Sequence, residues 1–421
     1  MKRIWLVKIG ETLPLGTNQK RLLRTGLIAS ILAKDGNDVT FWSSTFDHFN
    51  KKHHFSADTE IITEEGYCLR MLYGRKYYKN VSIDRVINHS QIAKKFKEQI
   101  FKEQNKPDII VCSFPTIELA YECVKFGKKL GIPVLLDIRD LWPDIFFQEL
   151  LPSPLKKIVL AGFNKLFRKH SYALKNASGL IGITKNILLW GLNYADRVQG
   201  PSDYVFHLSY NRILSECNLD ALKRLEQKNI IFETEKMYVC LIGTISSFKF
   251  DFDPIIKAAE LLEQNKSNVE FLICGDGENL NELKNKCAAL KNINFTGWID
   301  QEEINCIMLK SSVGLAPYRN TFTYLTSIPS KISEYFSYGL TVLSGLGGDL
   351  KEYIEENNAG WYYDSETTLF KYLNTLAENK DVLDSFGTNN LRLFEQNFKS
   401  SIVYDKFKNI ILENSNSNLN N

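Results

Sequence analysis

The sequence predicts an α/β protein made of two Rossmann-like halves, each a parallel sheet flanked by helices. Three observations lead there. Short apolar runs alternate with longer segments of helical period. The alternation breaks in a polar stretch at 210–229 and then restarts. The 421 residues exceed one ordinary core, at roughly one domain per 100–200 residues.

Each element has its own signal. RIWLVKI (3–9) is a strand, followed by a loop over 10–19 and a helical pattern over 20–36, with Leu22, Leu23, Leu27, Ile28, Ile31 and Leu32 on one face. Asp38–Trp42, Asp108–Ser113, Pro133–Ile138 and Leu180–Thr184 read as further strands, with a helix over Ile117–Leu130. Strand, helix, strand at this spacing predicts right-handed crossovers and parallel pairing. After 210–229 the strands are Met237–Gly243, Glu270–Cys274, Ile293–Phe295, Val313–Ala316 and Leu340–Leu343, with a helix over Asp253–Gln264. The expected domains are 1–208, 209–400, and a closing helix with a polar tail over 401–421. In such folds ligands sit at the carboxyl ends of the strands, here in a cleft between the halves.

Composition narrows the class. Hydrophobic residues are 44% and charged residues 24%, the ordinary globular balance, which excludes a disordered or fibrous chain. With 52 basic and 49 acidic residues the net charge is +3, and nucleic acid is not an expected partner. The eight cysteines contain no Cys-x-x-Cys pair and several lie in apolar runs, so they are expected to be reduced and packed as small hydrophobes. The amino terminus reads as a strand rather than a leader, and no apolar run reaches about 18–20 residues. A cytoplasmic protein is expected. The six histidines show no metal-ligand spacing.

Four segments carry candidate chemistry. Gly10–Asn18, with Gly16 and Thr17, is neither Gly-x-Gly-x-x-Gly nor a P-loop, which disfavours a nicotinamide site and leaves a turn whose amides approach a ligand. In DIRDLWPD (137–144), Arg139 is suited to a bidentate carboxylate pair and Asp140 to accepting a proton or a sugar hydroxyl; the competing reading is a structural salt bridge. SIPSKISEY (327–335) opens a helix, with Ser327 or a neighbour as cap, Pro329 in the first turn and Lys331 adding charge to an anion site. Glu334 stands one turn deeper, suited to two ribose hydroxyls. Lys249 follows the strand Met237–Gly243. Gly275-Asp276-Gly277-Glu278 is a tight turn, and Asp251-Phe252-Asp253 reads as a helix cap rather than a metal motif.

Together DIRDLWPD, ITKNI with VFHLSY, LIGTISSFK, FLICGDGE, NFTGWID and IPSKISEYFSYGLTVL resemble the retaining glycosyltransferases of family 4, in the branch that builds bacterial capsule, O-antigen and related polysaccharides. The resemblance covers nearly the whole chain and implies the GT-B fold of two facing Rossmann-like domains, the first binding acceptor and the second the nucleotide sugar. It places Gly16 and Thr17 near the donor phosphates and the acceptor. Lys249 falls where the family has its phosphate lysine, and Lys331 and Ser330 face the diphosphate. Gly243, Thr244, Thr326 and Ser327 fall in the donor loops. Ile299 would present backbone to the base, and Glu334 matches the second glutamate of Glu-x7-Glu. Asp140 falls near an acceptor-side histidine or aspartate, with Arg139 beside it. Two positions depart: Thr326 stands for the first glutamate, and Thr244 for the arginine that pairs with the phosphate lysine.

The resemblance implies transfer from a nucleotide diphosphate sugar, UDP-linked, the sugar being an N-acetylated or deoxy hexose. The reaction proceeds with retention, and no metal is required because lysines hold the leaving group. The implied acceptor is a saccharide, lipid-linked on a polyprenyl diphosphate. The basic amphipathic stretch 151–169 is a candidate contact with the inner membrane face. A UDP-sugar 2-epimerase, a nicotinamide oxidoreductase and a non-catalytic GT-B partner subunit remain as rival readings.

Overall fold

A computed structural model describes residues 1–15, 22–80, 82–145, 148, 153–212 and 216–416, and only the backbone of 153–163. The chain divides into two compact units, Met1–Phe206 with Val403–Asn421, and His207–Ile402.

The first unit runs β1 (Arg3–Val7), α1 (Arg24–Lys34), β2 (Asp38–Ser44), β3 (Phe46–Asp47), β4 (Lys52–His53), β5 (Thr59–Ile62), β6 (Cys68–Leu72), α2 (Ile83–Lys102), β7 (Ile109–Phe114), α3 (Ile117–Leu130), β8 (Val134–Ile138), α4 (Ser153–Asn176), β9 (Gly179–Gly182), α5 (Lys185–Ala195) and β10 (Tyr204–Val205). Its eight-stranded sheet has the order β10-β9-β8-β7-β1-β2-β6-β5. Every pair is parallel except β5–β6 at the edge. Both faces are covered, which is why the central strands read as continuous apolar runs. On one face Ile4 and Leu6 join a core with Ile28, Leu32 and Phe41. On the other, Trp5 meets Trp42 edge-on at 5.6 Å and Phe126 stacked at 5.7 Å.

The second unit runs α6 (Leu219–Gln227), β11 (Met237–Ile242), α7 (Asp253–Gln264), β12 (Val269–Cys274), α8 (Leu280–Lys286), β13 (Ile293–Gly297), α9 (Gln301–Lys310), β14 (Val313–Ala316), α10 (Phe322–Leu325), α11 (Ser330–Ser337), β15 (Thr341–Ser344), α12 (Gly348–Glu356), β16 (Gly360–Tyr362), α13 (Glu366–Glu378) and α14 (Lys380–Leu393). Its six strands are all parallel, in the order β13-β12-β11-β14-β15-β16. After a π turn over Phe394–Phe398, α15 (Ser400–Asn414) passes at Val403 into the first unit. There Tyr404, Phe407 and Ile411 enter the core beside Ile4 and Leu6.

Several expectations are corrected. Cys217 and Cys306 are joined in a disulfide across 89 residues of chain; Cys112, Cys123, Cys240, Cys274 and Cys287 are free and buried, and Cys68 is free and half-buried. The first helix begins at Arg24 rather than 20, and Leu23 is its partly exposed N-cap rather than a core residue. Pro329, not Ser327, is the N-cap of α11, and no side chain caps it. The Ser327 hydroxyl instead donates to the Tyr324 carbonyl at 3.0 Å, closing α10. Phe252 rather than an aspartate caps α7, and Asp253 lies in its first turn. Gly16 and Thr17 lie outside the described residues, as do the side chains of 151–163.

Candidate functional site

In the second unit the predicted donor residues gather at the carboxyl ends of the parallel strands. β11 ends in Gly243 and β12 in Gly275, and the two turns are pressed together. Both glycines have positive φ, +151° and +133°. A Cβ on Gly275 would fall 1.9 Å from the Gly243 carbonyl oxygen. Hydrogen bonds lock the pair: the Gly243 amide donates to Cys274 at 2.8 Å, the Gly275 amide to Gly297 at 2.9 Å, and the Ile245 amide to Asp276 at 2.9 Å. The Asp276 carbonyl is part of this clasp, and Glu278 accepts from the Ser246 hydroxyl at 2.8 Å.

Lys331 reaches this clasp from the first turn of α11. A Cβ on Gly243 would lie 3.4 Å from its Nζ, an ordinary contact distance, so the ammonium rests beside the backbone of this turn. Burial depresses the Lys331 pKa, and Lys249 adds to the depression, while Glu334 pulls the other way. Burial likewise depresses Lys249. The Lys249 ammonium sits 5.1 Å from the Phe250 ring centroid and 5.5 Å from that of Tyr318. Its loop is clamped by the segment after β14: the Arg319 amide donates to the Lys249 carbonyl at 3.0 Å and the Asp251 amide to Pro317 at 2.8 Å. Among the described residues neither lysine has a carboxylate within ion-pair distance. Two partly desolvated cations beside an uncapped helix start form a place for a polyanion.

The remaining donor-side residues are less engaged. Thr244 is exposed. Ile299 is buried just beyond β13, next to the exposed Trp298. Thr326 is the C-cap of α10, its hydroxyl donating to the Phe322 and Thr323 carbonyls at 3.3 and 3.2 Å, a structural task. Ser330 opens α11 and its carbonyl accepts from the Ser333 hydroxyl at 2.6 Å. Glu334 is half-buried with no hydrogen-bond partner for its carboxylate among the described residues.

In the first unit, Arg139 and Asp140 follow β8 into a cavity of about 270 Å³, lined also by Lys8, Gly10, His48, Tyr77, Arg85, His89, Thr116 and Trp142. Arg139 is a strut. It donates to Asp137 at 2.7 Å, to the Thr25 and Ser113 hydroxyls at 2.8 Å each, and to Glu11. Arg24 donates twice to Asp137, both at 3.2 Å. Burial alone would raise the Asp137 pKa, but Arg139 and Arg24 outweigh it and hold the carboxyl below the usual range. Asp144 is structural too, accepting from Trp190 Nε1 at 2.8 Å and the Tyr194 hydroxyl at 2.7 Å.

Asp140 is different. Burial raises its pKa, against the opposing Leu141 amide, Lys8 and Arg85. Burial and then Arg139 bring Lys8 down to about 8. His48, whose Nδ1 lies 2.7 Å from the Tyr77 hydroxyl, is lowered to about 4 by burial, Lys51 and Arg85, and is neutral at neutral pH. Sequence reasoning missed Lys8, His48, Tyr77, Arg85 and His89. One available signal was Lys8, a lone cation ending an apolar strand. Among the described residues no cluster of histidine, cysteine, aspartate or glutamate is suited to a metal ion, and no helix is long and apolar enough to cross a membrane.

Comparison with known proteins agrees with this fold. Residues 223–392 match the family model described as glycosyl transferases group 1. No curated protein sequence matches. Among solved structures, Anabaena HepE in complex with UDP is 15% identical with a TM-score of 0.64, covering 98% of this chain and 100% of that one. Sucrose-phosphate synthase from Thermosynechococcus elongatus is 13% identical with a TM-score of 0.64, covering 98% and 99%. The E. coli structure described as trehalose-6-phosphate bound with UDP-2-fluoro glucose is 11% identical, also with a TM-score of 0.64, covering 99% of each chain. Residues 223–392 of the second unit are therefore similar to the group 1 glycosyl transferases, and the chain has the GT-B fold of two Rossmann-like domains.

Proposed function

We propose that the chain transfers a glycosyl group, with retention, from a UDP-linked sugar to a saccharide acceptor. The donor sugar in this reading is an N-acetylated or deoxy hexose. The acceptor is carried on a polyprenyl diphosphate at the inner membrane face, in the synthesis of a bacterial capsule or O-antigen. The observation that carries the reading is the pair Lys331 and Lys249 beside the Gly243 turn, inside the segment that matches the family. The HepE and E. coli structures, with UDP and UDP-2-fluoro glucose, support the choice of nucleotide.

In this mechanism the diphosphate gains charge as the glycosidic bond breaks. Lys249, Lys331 and the Ser330 and Lys331 amides neutralise that charge, so the site stabilises the transition state more than the ground state. Glu334 accepts from the ribose hydroxyls, and Ile299 presents backbone to the base. Gly243, Thr244, Thr326 and Ser327 line the donor path, and Gly16 and Thr17 keep the donor-binding role that the family resemblance implies for them. The departing phosphate oxygen takes the acceptor proton, so no protein nucleophile and no metal is needed. Asp140 orients the acceptor hydroxyl, while Arg139 holds the floor under it.

Calorimetry with UDP, GDP, ADP and CMP, with and without EDTA, tests this. UDP binding is expected to survive EDTA. It should fall at least tenfold, about 1.4 kcal/mol, in both Lys331→Ala and Glu334→Ala. Absence of nucleotide binding, or variants that bind like the parent, refutes it.

A further inference from the structure

The first-unit cavity and its surroundings carry more positive than negative charge, and two of the cations have no carboxylate partner. Four cations, Lys8, Arg24, Arg85 and Arg139, stand with three carboxylates, Glu11, Asp137 and Asp140. Arg24 and Arg139 are consumed by Asp137 and Glu11. Lys8 and Arg85 are not. Lys8 Nζ donates to the Pro115 carbonyl at 3.2 Å. Arg85 donates from Nη1 to the Asn80 carbonyl at 2.7 Å and lies 4.7 Å over the Trp142 ring. Its Nε is buried without any hydrogen-bond partner. No carboxylate lies within ion-pair distance of either among the described residues, and Asp140 is shared between the two. His48 and His89 stay neutral and add no charge. A buried donor left unpaired is costly and is normally satisfied by a ligand or water.

We propose that this cavity binds an oxyanion carried by the acceptor, a carboxylate or phosphate held between Lys8 and Arg85, with the neutral His48 and Thr116 facing a neighbouring hydroxyl. The inference rests on the glycosyl-transfer reading for the word acceptor; the anion site itself does not. Arg85 supplies the planar fork that carboxylates and phosphates fit, and Trp142 holds that fork flat. Neutral saccharides alone would leave the surplus charge uncompensated.

The test is calorimetry on the full chain with UDP saturating, so that the second unit's lysines are already occupied. The probes are glucose, glucuronate, glucose 6-phosphate and farnesyl diphosphate, which separate a uronate, a sugar phosphate and a lipid diphosphate as the source of the anion. At least one anionic probe is expected to bind tenfold or more tighter than glucose. Arg85→Gln and Lys8→Met should each remove at least tenfold of that preference while leaving UDP affinity unchanged; Arg85→Lys should restore part of it.

A proton readout accompanies the affinities. Lys8 is faced by Arg139, Glu11, Asp137 and Cys112, and its pKa of about 8 rises when an anion arrives. At pH 8 binding therefore takes up about half a proton, seen as a buffer-dependent enthalpy that vanishes in Lys8→Met. Should Lys8→Met not fold, the Arg85 pair of variants decides. Equal affinity for glucose and every anion, or anion binding indifferent to Arg85, overturns the proposal. If UDP fails to bind while the anions still bind through Arg85, the donor reading falls and the anion site stands.

Discussion

Replacing Gly275 by alanine tests the donor clasp directly. The new methyl would fall 1.9 Å from the Gly243 carbonyl oxygen and 2.9 Å from its carbon. Backbone cannot rotate away as a side chain can, and hydrogen bonds to Cys274, Gly297 and Asp276 fix both turns. Overpacking of this kind costs about 1–3 kcal/mol, and an alanine held at φ +133° adds about 1–3 kcal/mol. A loss of about 4 kcal/mol is expected. Relief of the clash displaces Gly243, and the Lys331 ammonium that rests on it follows, so UDP affinity should fall at least tenfold. Urea unfolding followed by circular dichroism reads the first effect and calorimetry the second. Gly297→Asn is the control: Gly297 has φ +64° and open space where a Cβ would go, and asparagine tolerates that region. If Gly275→Ala unfolds at the parent's midpoint and binds UDP as the parent does, the argument from close approach is wrong.

Asp137→Asn should destabilise the first unit by about 3–5 kcal/mol, because Arg24 and Arg139 would be left with one buried carboxylate, Glu11; urea titration measures it. The Asp137 pKa is depressed in the folded chain, so its contribution is present above the ordinary carboxylate range and lost as pH falls through the folded value. The parent should therefore lose stability on acidification more steeply than Asp137→Asn. Alkylation under denaturing, non-reducing conditions should label six cysteines and leave Cys217 and Cys306 unlabelled, with eight labelled after reduction; eight labels without reductant would remove the bridge.

The central strands were legible because each is buried on both faces and must be apolar throughout; the helices over Ile117–Leu130 and Asp253–Gln264 were legible from their apolar period. The antiparallel edge β5–β6 was not, since Thr59–Ile62 alternates in burial and Cys68–Leu72 contains an arginine. Lys249, Lys331 and Glu334 stood out as charges placed just after apolar strands or at a helix start. The Arg24–Asp137–Arg139–Glu11 network did not, because its partners are 113 and 128 residues apart. The pairing of Cys217 with Cys306 failed for the same reason. Glycine spacing showed that turns follow β11 and β12, but not that the two turns touch.

The return of α15 to the first unit orders events during synthesis. Residues 207–402 form one unbroken stretch whose entry and exit are zipped together: the Tyr210 amide donates to Phe398 at 2.9 Å, and the Ser400 amide to Tyr210 at 3.1 Å. That stretch has been made in full before the segment from Val403 on is added. The first unit, begun earlier, waits with a groove open beside Ile4 and Leu6 until Tyr404, Phe407 and Ile411 emerge. The half of the protein made first is thus the last to close, and a chain cut after Ile402 would keep the second unit whole while leaving the first unit's core open beside Ile4 and Leu6.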